Sequence, residues 1–200
     1  MTGIRSVAAV AVALVGLAVV AQNPPKGDAP AAPPAKEVKP VVNPLLKAEV
    51  GEWLEYVVRT ESVGRSTEVK AKQTVIEKSA MYITLQTTGG LGTGDQRIPL
   101  HESYEPYRPL GSKDAMVTKL AEGDEKITVG GKSYECHWVK VRVVAKLPAP
   151  TDATTTVWTC PTVPVTGVVK LESQSAGGSA KKGIVSRLTM ELVGTGKQGP

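Results

Sequence analysis

Along most of the chain, apolar and polar side chains alternate with a period of two. Leu54, Tyr56 and Val58 are interleaved with Glu55 and Val57, and Val69, Ala71, Gln73 and Val75 with Lys70, Lys72 and Thr74. The same pattern runs through Met81, Ile83 and Leu85, through Val139, Val141 and Val143, and through Leu188, Met190 and Leu192. Successive side chains of a strand point to opposite faces, so this pattern predicts antiparallel strands with one dry face and one wet face. Turn chemistry separates the runs. Gly130-Gly131 suits a two-residue hairpin turn with φ > 0, Gly89 to Gly94 reads as a flexible loop, and 146–152 reads as a longer hairpin tip. Residues 112–122 admit two readings. Met116, Val117, Leu120 and Ala121 form one face of a helix ended by Gly123, or the segment is a strand folding back at Glu122-Gly123-Asp124; flanks that read as strands favour the strand. The expected fold is all-β and mainly antiparallel with little helix: a curved, half-barrel-like sheet, or alternatively a β-sandwich.

The chain divides into four parts. Residues 1–21 read as a signal peptide: Arg5 is the only charge, Val7 to Val20 is an apolar run, and Val19-Val20-Ala21 offers small residues for cleavage before Gln22. The run is too short for a spanning helix, so no stable membrane span is expected after cleavage; a retained N-terminal anchor is the other reading. Residues 22–44 hold 7 of the 15 prolines and read as an extended Pro/Ala-rich linker. The β domain is expected over 45–193, and the Gly-rich tail 194–200 is expected to fray. An exported chain, periplasmic or extracellular, follows from the leader.

Composition narrows the function. With 41% apolar residues, 4% aromatics and no Phe, the core must be built from Val, Leu, Ile and Ala. The net charge of +5 is scattered, with Lys181-Lys182 the only adjacent basic pair, which argues against a nucleic-acid partner. Gly131-Lys132-Ser133 ends like a phosphate loop but joins two strands and has Lys126 where the first glycine belongs. No Gly-x-Ser-x-Gly elbow occurs. His101, Glu102 and Glu105 are too few for a structural metal site, and His137 lies on the alternate face from Cys136. Neither a catalytic site, a metal nor a cofactor is expected. Cys136 and Cys160 fall opposite each other in a hairpin centred on residue 148, a register that also sets Trp138 against Trp158 and Val139 against Val157. Opposed Cα atoms lie about 4.5–5.5 Å apart, within disulfide range. A disulfide and two free buried thiols both stay open on this geometry.

Ile127 to Cys136, with Gly130-Gly131 at its turn, and Val157-Trp158-Thr159-Cys160-Pro161-Thr162-Val163-Pro164-Val165-Thr166-Gly167-Val168-Val169-Lys170 resemble a group of exported bacterial β-proteins. More remotely, that group is similar to the lipoprotein localisation factors. The resemblance covers about residues 50–195 and implies a curved antiparallel half-barrel around an apolar cavity, with no catalytic residues. It places Cys160 where the pattern has Ser, which favours a bridge to Cys136. Pro161 and Pro164 cannot donate to a ladder, so this stretch must leave the sheet or run along its edge, with Gly167 permitting the bend back. The expected function is an exported, non-enzymatic binding protein whose apolar concave face takes a lipid, an acyl chain or a protein segment, with Leu85 and Val141 as positions where bulk blocks binding. The alternative is a structural or interaction module of the cell envelope with a filled core. The implied partner is a hydrophobic ligand or an envelope protein.

Overall fold

The computed structural model describes residues 43–62, 64–90, 92–101, 104–107, 115–145, 151–177 and 184–199. The expected signal peptide, all but the end of the linker, and most of the 146–152 tip lie outside these residues. Nine strands form one sheet: β1 (Glu52–Ser62), β2 (Arg65–Lys78), β3 (Tyr82–Gly89), β4 (Gly94–Pro99), β5 (Met116–Val129), β6 (Lys132–Ala145), β7 (Thr151–Thr159), β8 (Val168–Gly177) and β9 (Ile184–Lys197). Their order is β4-β3-β2-β1-β9-β8-β7-β6-β5, with every neighbouring pair antiparallel. Two meanders are thus sewn together by β1 against β9. The fold is all-β as expected, with a single 3₁₀ turn, Pro44–Leu46, as its helix among the described residues. It is one open, curled sheet with two edges, in line with the expected curved sheet and not the sandwich alternative, and it does not close into a barrel. The sheet curls strongly: the β5–β6 turn reaches across to β9, where a Cβ on Gly130 would lie 3.4 Å from the Leu192 carbonyl oxygen.

The dry face expected from the alternation is the inner face of this curl. Leu54, Tyr56, Val58, Ala71, Val75, Ile83, Leu85, Val157 and Leu192 are buried on it. A sheet with one apolar face must bury that face against something. Here the chain covers itself three times, because Leu45 and Ala48, then Leu100 with Tyr104 and Tyr107, then Val163 and Val165 all belong to the same apolar cluster. β4 and β5 are consecutive in the chain but lie at opposite edges of the sheet, and of the residues between them Leu100, Tyr104 and Tyr107 pack in the apolar cluster.

Bulges explain several exposed apolar residues. Val75 and Glu77 pair with the consecutive residues Leu85 and Thr84, Lys119 and Ala121 with Val141 and Lys140, and Glu55 and Tyr56 with Gly194 and Leu192. The extra residues Ile76, Leu120 and Val193 are exposed, whereas Val169, the extra residue of the β7–β8 ladder, is buried. An extra residue has no partner across the ladder and bends its strand, which helps the sheet to curl.

β6 changes its buried face along its length. Val141 and Val143 are buried on the odd-numbered side, yet Cys136 is buried on the even-numbered side. The β6–β7 ladder stops at His137 against Thr159, while the β5–β6 ladder continues to Val129 against Lys132. The β5–β6 hairpin therefore overshoots the end of β7, and past that point its even face meets the core.

Two expectations are corrected. Residues 194–197 do not fray but belong to β9, with Gly194 opposite Glu55, Gly196 opposite Trp53 and Lys197 opposite Glu52. The Trp53 ring lies over both glycines, so that a Cβ at Gly196 would be 2.6 Å from the indole. The glycines mark a close approach within a strand. Residues 116–122 are strand, as favoured, but the chain does not fold back at Gly123; β5 runs unbroken through it, with the Trp138 indole across Gly123.

Candidate functional site

The segment 160–167 carries the sequence's most distinctive motif, and in the fold it is a strap over the inner face of the sheet. Both of its prolines lie outside the ladders, and it leaves the sheet as their missing donors require. Three backbone bonds tie the strap to itself: Cys160 N–H to the Gly167 carbonyl at 2.8 Å, Val163 N–H to Cys160 at 3.1 Å, and Gly167 N–H to Pro164 at 3.2 Å. Gly167 sits at φ 72°, the bend expected there. Val165 sits at φ 58° and is buried. A β-branched residue in the left-handed region costs about 1–3 kcal/mol and persists only where its surroundings hold it.

What holds it is a buried hydroxyl cluster. The Tyr56 hydroxyl, projecting from β1, donates to the Val168 carbonyl at 3.2 Å and lies 3.2 Å from the Thr166 hydroxyl. Tyr104, beyond β4, packs against the same apolar cluster as Val163 and Val165. Pro44 packs on Gly167, with its Cγ 3.5 Å from where a Cβ would be. The strap therefore meets the first cover, which the Lys78 ammonium anchors by donating to the carbonyls of Leu46 at 2.8 Å and Ala48 at 2.6 Å. Burial holds the Tyr56 and Tyr104 hydroxyls well above the ordinary phenol range. Every buried side-chain polar atom among the described residues has a partner, so this cluster is a closed pin rather than an open binding site.

The thiols stand at the root of the strap. The register expected from the sequence is present, with Trp138 opposite Trp158 and Val139 opposite Val157. Both sulfurs are buried and unbonded to each other, so the structure holds Cys136 and Cys160 as thiols. Burial, together with the neighbouring Cys160, pushes the Cys136 thiol up to about 12. The Cys160 sulfur also lies 3.0 Å from the Thr162 hydroxyl.

The remaining candidates do not assemble. Leu85 and Val141, expected to face a cavity, are 2% and 0% exposed and belong to separate apolar clusters. Of the suggested metal trio, Glu102 lies outside the described residues, and no group of three metal-ligating side chains occurs among those described. His137 lies between Asp124, at 3.0 Å, and Glu122, at 3.5 Å, on the β5–β6 hairpin. Gly131-Lys132-Ser133 is the β5–β6 turn and the start of β6, with Gly130 and Gly131 at φ 57° and 76°. A notch of about 20 Å³ between that turn and β9, lined by Val129, Tyr134 and Leu192 among others, has room for a water molecule and no more. The sequence carries no mark of the hydroxyl pin. Tyr56 lay on the apolar face of its strand and Thr166 in a coil, with no signal linking them.

No protein-family model matches the chain, and neither does any curated protein. Among solved structures it is similar to a Bacteroides fragilis protein of YmcC-like fold, at 12% identity and a TM-score of 0.45 over 75% of this chain and 97% of that one.

Proposed function

We propose that this protein is an exported, non-enzymatic interaction module of the cell envelope that binds an extended segment of a partner protein along the outer edge of β5. Export rests on the leader read in residues 1–21. The observation that carries the rest is the filled inner face: the surface expected to take a lipid or acyl chain is covered by the chain's own segments and pinned by paired hydroxyls.

The two edges of the sheet differ sharply. β4 has six residues, ends in Pro99, and has the Arg97 guanidinium stacked 3.2 Å over the Tyr82 ring. Such an edge is guarded against further pairing. β5 has fourteen residues, no proline, exposed side chains on both faces, and Leu120 52% exposed at its bulge. Its lysines are neutralised within the chain, Lys119 by Glu122 and Lys126 by Glu135. On its outer side β5 has no strand partner among the described residues, and such a row of backbone donors and acceptors accepts one kind of occupant, an extended chain.

The experiment selects short peptides from a display library on the purified protein and maps the protected amides by hydrogen exchange. Protection on β5 is expected, with binding lost in Leu120→Pro, which blocks the edge at a residue the β6 ladder does not use. Selected peptides that protect other strands, or that bind Leu120→Pro equally well, would overturn the assignment.

A further inference from the structure

We propose that Cys136 and Cys160 form a gated thiol–disulfide site whose oxidation ties the 160–167 strap to β6. It is independent of the β5 edge, and its tests do not touch that strand.

The two thiols sit on the parts that would have to separate if the strap lifted. Cys136 lies on the stretch of β6 that overshoots β7, and Cys160 is the first residue beyond β7. The β6–β7 register ends with His137 opposite Thr159, which puts Cys136 and Cys160 at the next opposed position, both buried in one apolar cluster, so bridging needs no change of register. The strap itself is under tension. Val165 is held at positive φ next to Thr166, which the Tyr56 hydroxyl and the Val168 amide fix in place, and relaxing Val165 means undoing that pin.

The chemistry is thiol–disulfide exchange with a small-molecule or protein disulfide. One thiol loses its proton and attacks the external disulfide, releasing one reduced thiol and leaving a mixed disulfide. The second thiol then loses its proton and displaces the other half. The net change is two protein thiols and one disulfide giving one protein disulfide and two reduced thiols, so both electrons and both protons are accounted for. The attack is gated because both sulfurs are buried and burial suppresses the Cys136 thiolate. An external disulfide reaches either sulfur only when the strap lifts, and once the bridge has formed the strap can no longer lift. The Tyr–Thr pin thus sets the rate of oxidation, and oxidation sets the mobility of the strap.

Intact protein is treated with oxidised glutathione, followed by intact mass, and the amides of Cys160, Val163 and Gly167 are followed by hydrogen exchange. The expected product is an intramolecular bridge without retained glutathione. In the bridged form those amides exchange at least roughly tenfold more slowly, while amides of β1 and β2 are unchanged. Thr166→Ala, which removes the pin, is expected to oxidise roughly tenfold faster. Cys160→Ser, which keeps a donor for Thr162, folds and shows strap exchange equal to the reduced protein with or without oxidant. Stable glutathione adducts in place of the bridge, strap exchange that is the same in both redox states, or an unchanged oxidation rate in a folded Thr166→Ala would each overturn the proposal.

Discussion

Glycine and tryptophan act as pairs in this protein. Trp53 lies over Gly194 and Gly196, and Trp138 over Gly123, so each ring packs flat where a neighbouring strand offers no Cβ. Gly196→Val is therefore expected to displace the Trp53 indole and cost about 1–3 kcal/mol, read as a lowered midpoint of urea unfolding and a changed tryptophan emission. The Tyr56 hydroxyl is the other residue whose loss is felt. Tyr56→Phe leaves the Val168 carbonyl and the Thr166 hydroxyl short of a partner, for an expected loss of about 1–3 kcal/mol at neutral pH. A wild-type midpoint in either variant would mean that these contacts do not hold the strap. Neither feature was open to a reading of one strand at a time. Glycines two apart in an apolar strand are a visible signal of close approach, but the sequence does not say which ring covers them. The hydroxyl pin joins residues 110 positions apart, across a coil that no periodicity describes.

Period-two alternation placed β1, β2, β3, β6 and β9, where apolar residues face the core, but gave no signal for the short edge strand β4 or for β5, which is exposed on both faces. Bulges were not legible, since one added residue looks like a brief lapse in alternation. Ile76 beside Val75 and Leu120 within β5 are such lapses. The face change of β6 depends on where β7 stops, a tertiary fact with no local mark. A bulge residue stands outside the ladder, whereas a central residue does not, and this gives a contrast between elements. Leu120→Pro is expected to change the unfolding free energy by less than about 1 kcal/mol, while Val141→Pro, in a strand paired on both sides, should leave no folded protein at room temperature. Circular dichroism and urea unfolding of the two variants check this. Equal damage from both would mean that β5 is paired on its outer edge as well.

At the scale of the molecule, the fold class follows from the repeated alternation, while the strand order and the covered inner face do not. These depend on which strands meet, and above all on the pairing of β1 with β9. Stability as a whole is expected to depend on alkaline pH. Tyr56, Tyr104 and Cys136 all have folded-state values above their unfolded ones, chiefly through burial. The unfolded chain loses these protons from about pH 8.5 for the thiol and about pH 10 for the phenols, while the folded chain keeps them. Their contribution is thus complete below about pH 8.5 and falls as pH rises beyond it. Tyr56→Phe should lose less of its stability than wild type between pH 9 and 11, although it starts lower; parallel losses would mean that the phenol is not enclosed. On the acid side Glu77, Glu122 and Asp152 are held below the usual carboxylate range by hydrogen bonds, chiefly from Tyr82, Lys119 and Arg142 respectively, so their smaller contribution is present above about pH 4 and lost below it.

The curled sheet is filled by its own chain. Titration of the intact, delipidated protein with an environment-sensitive fluorescent fatty acid tests it most directly. The filled inner face predicts no saturable signal, in wild type and in Leu85→Met alike. A stoichiometric, saturable complex that a larger residue at Leu85 or Val141 abolishes without unfolding the domain would contradict it, and would make the inner face a binding site.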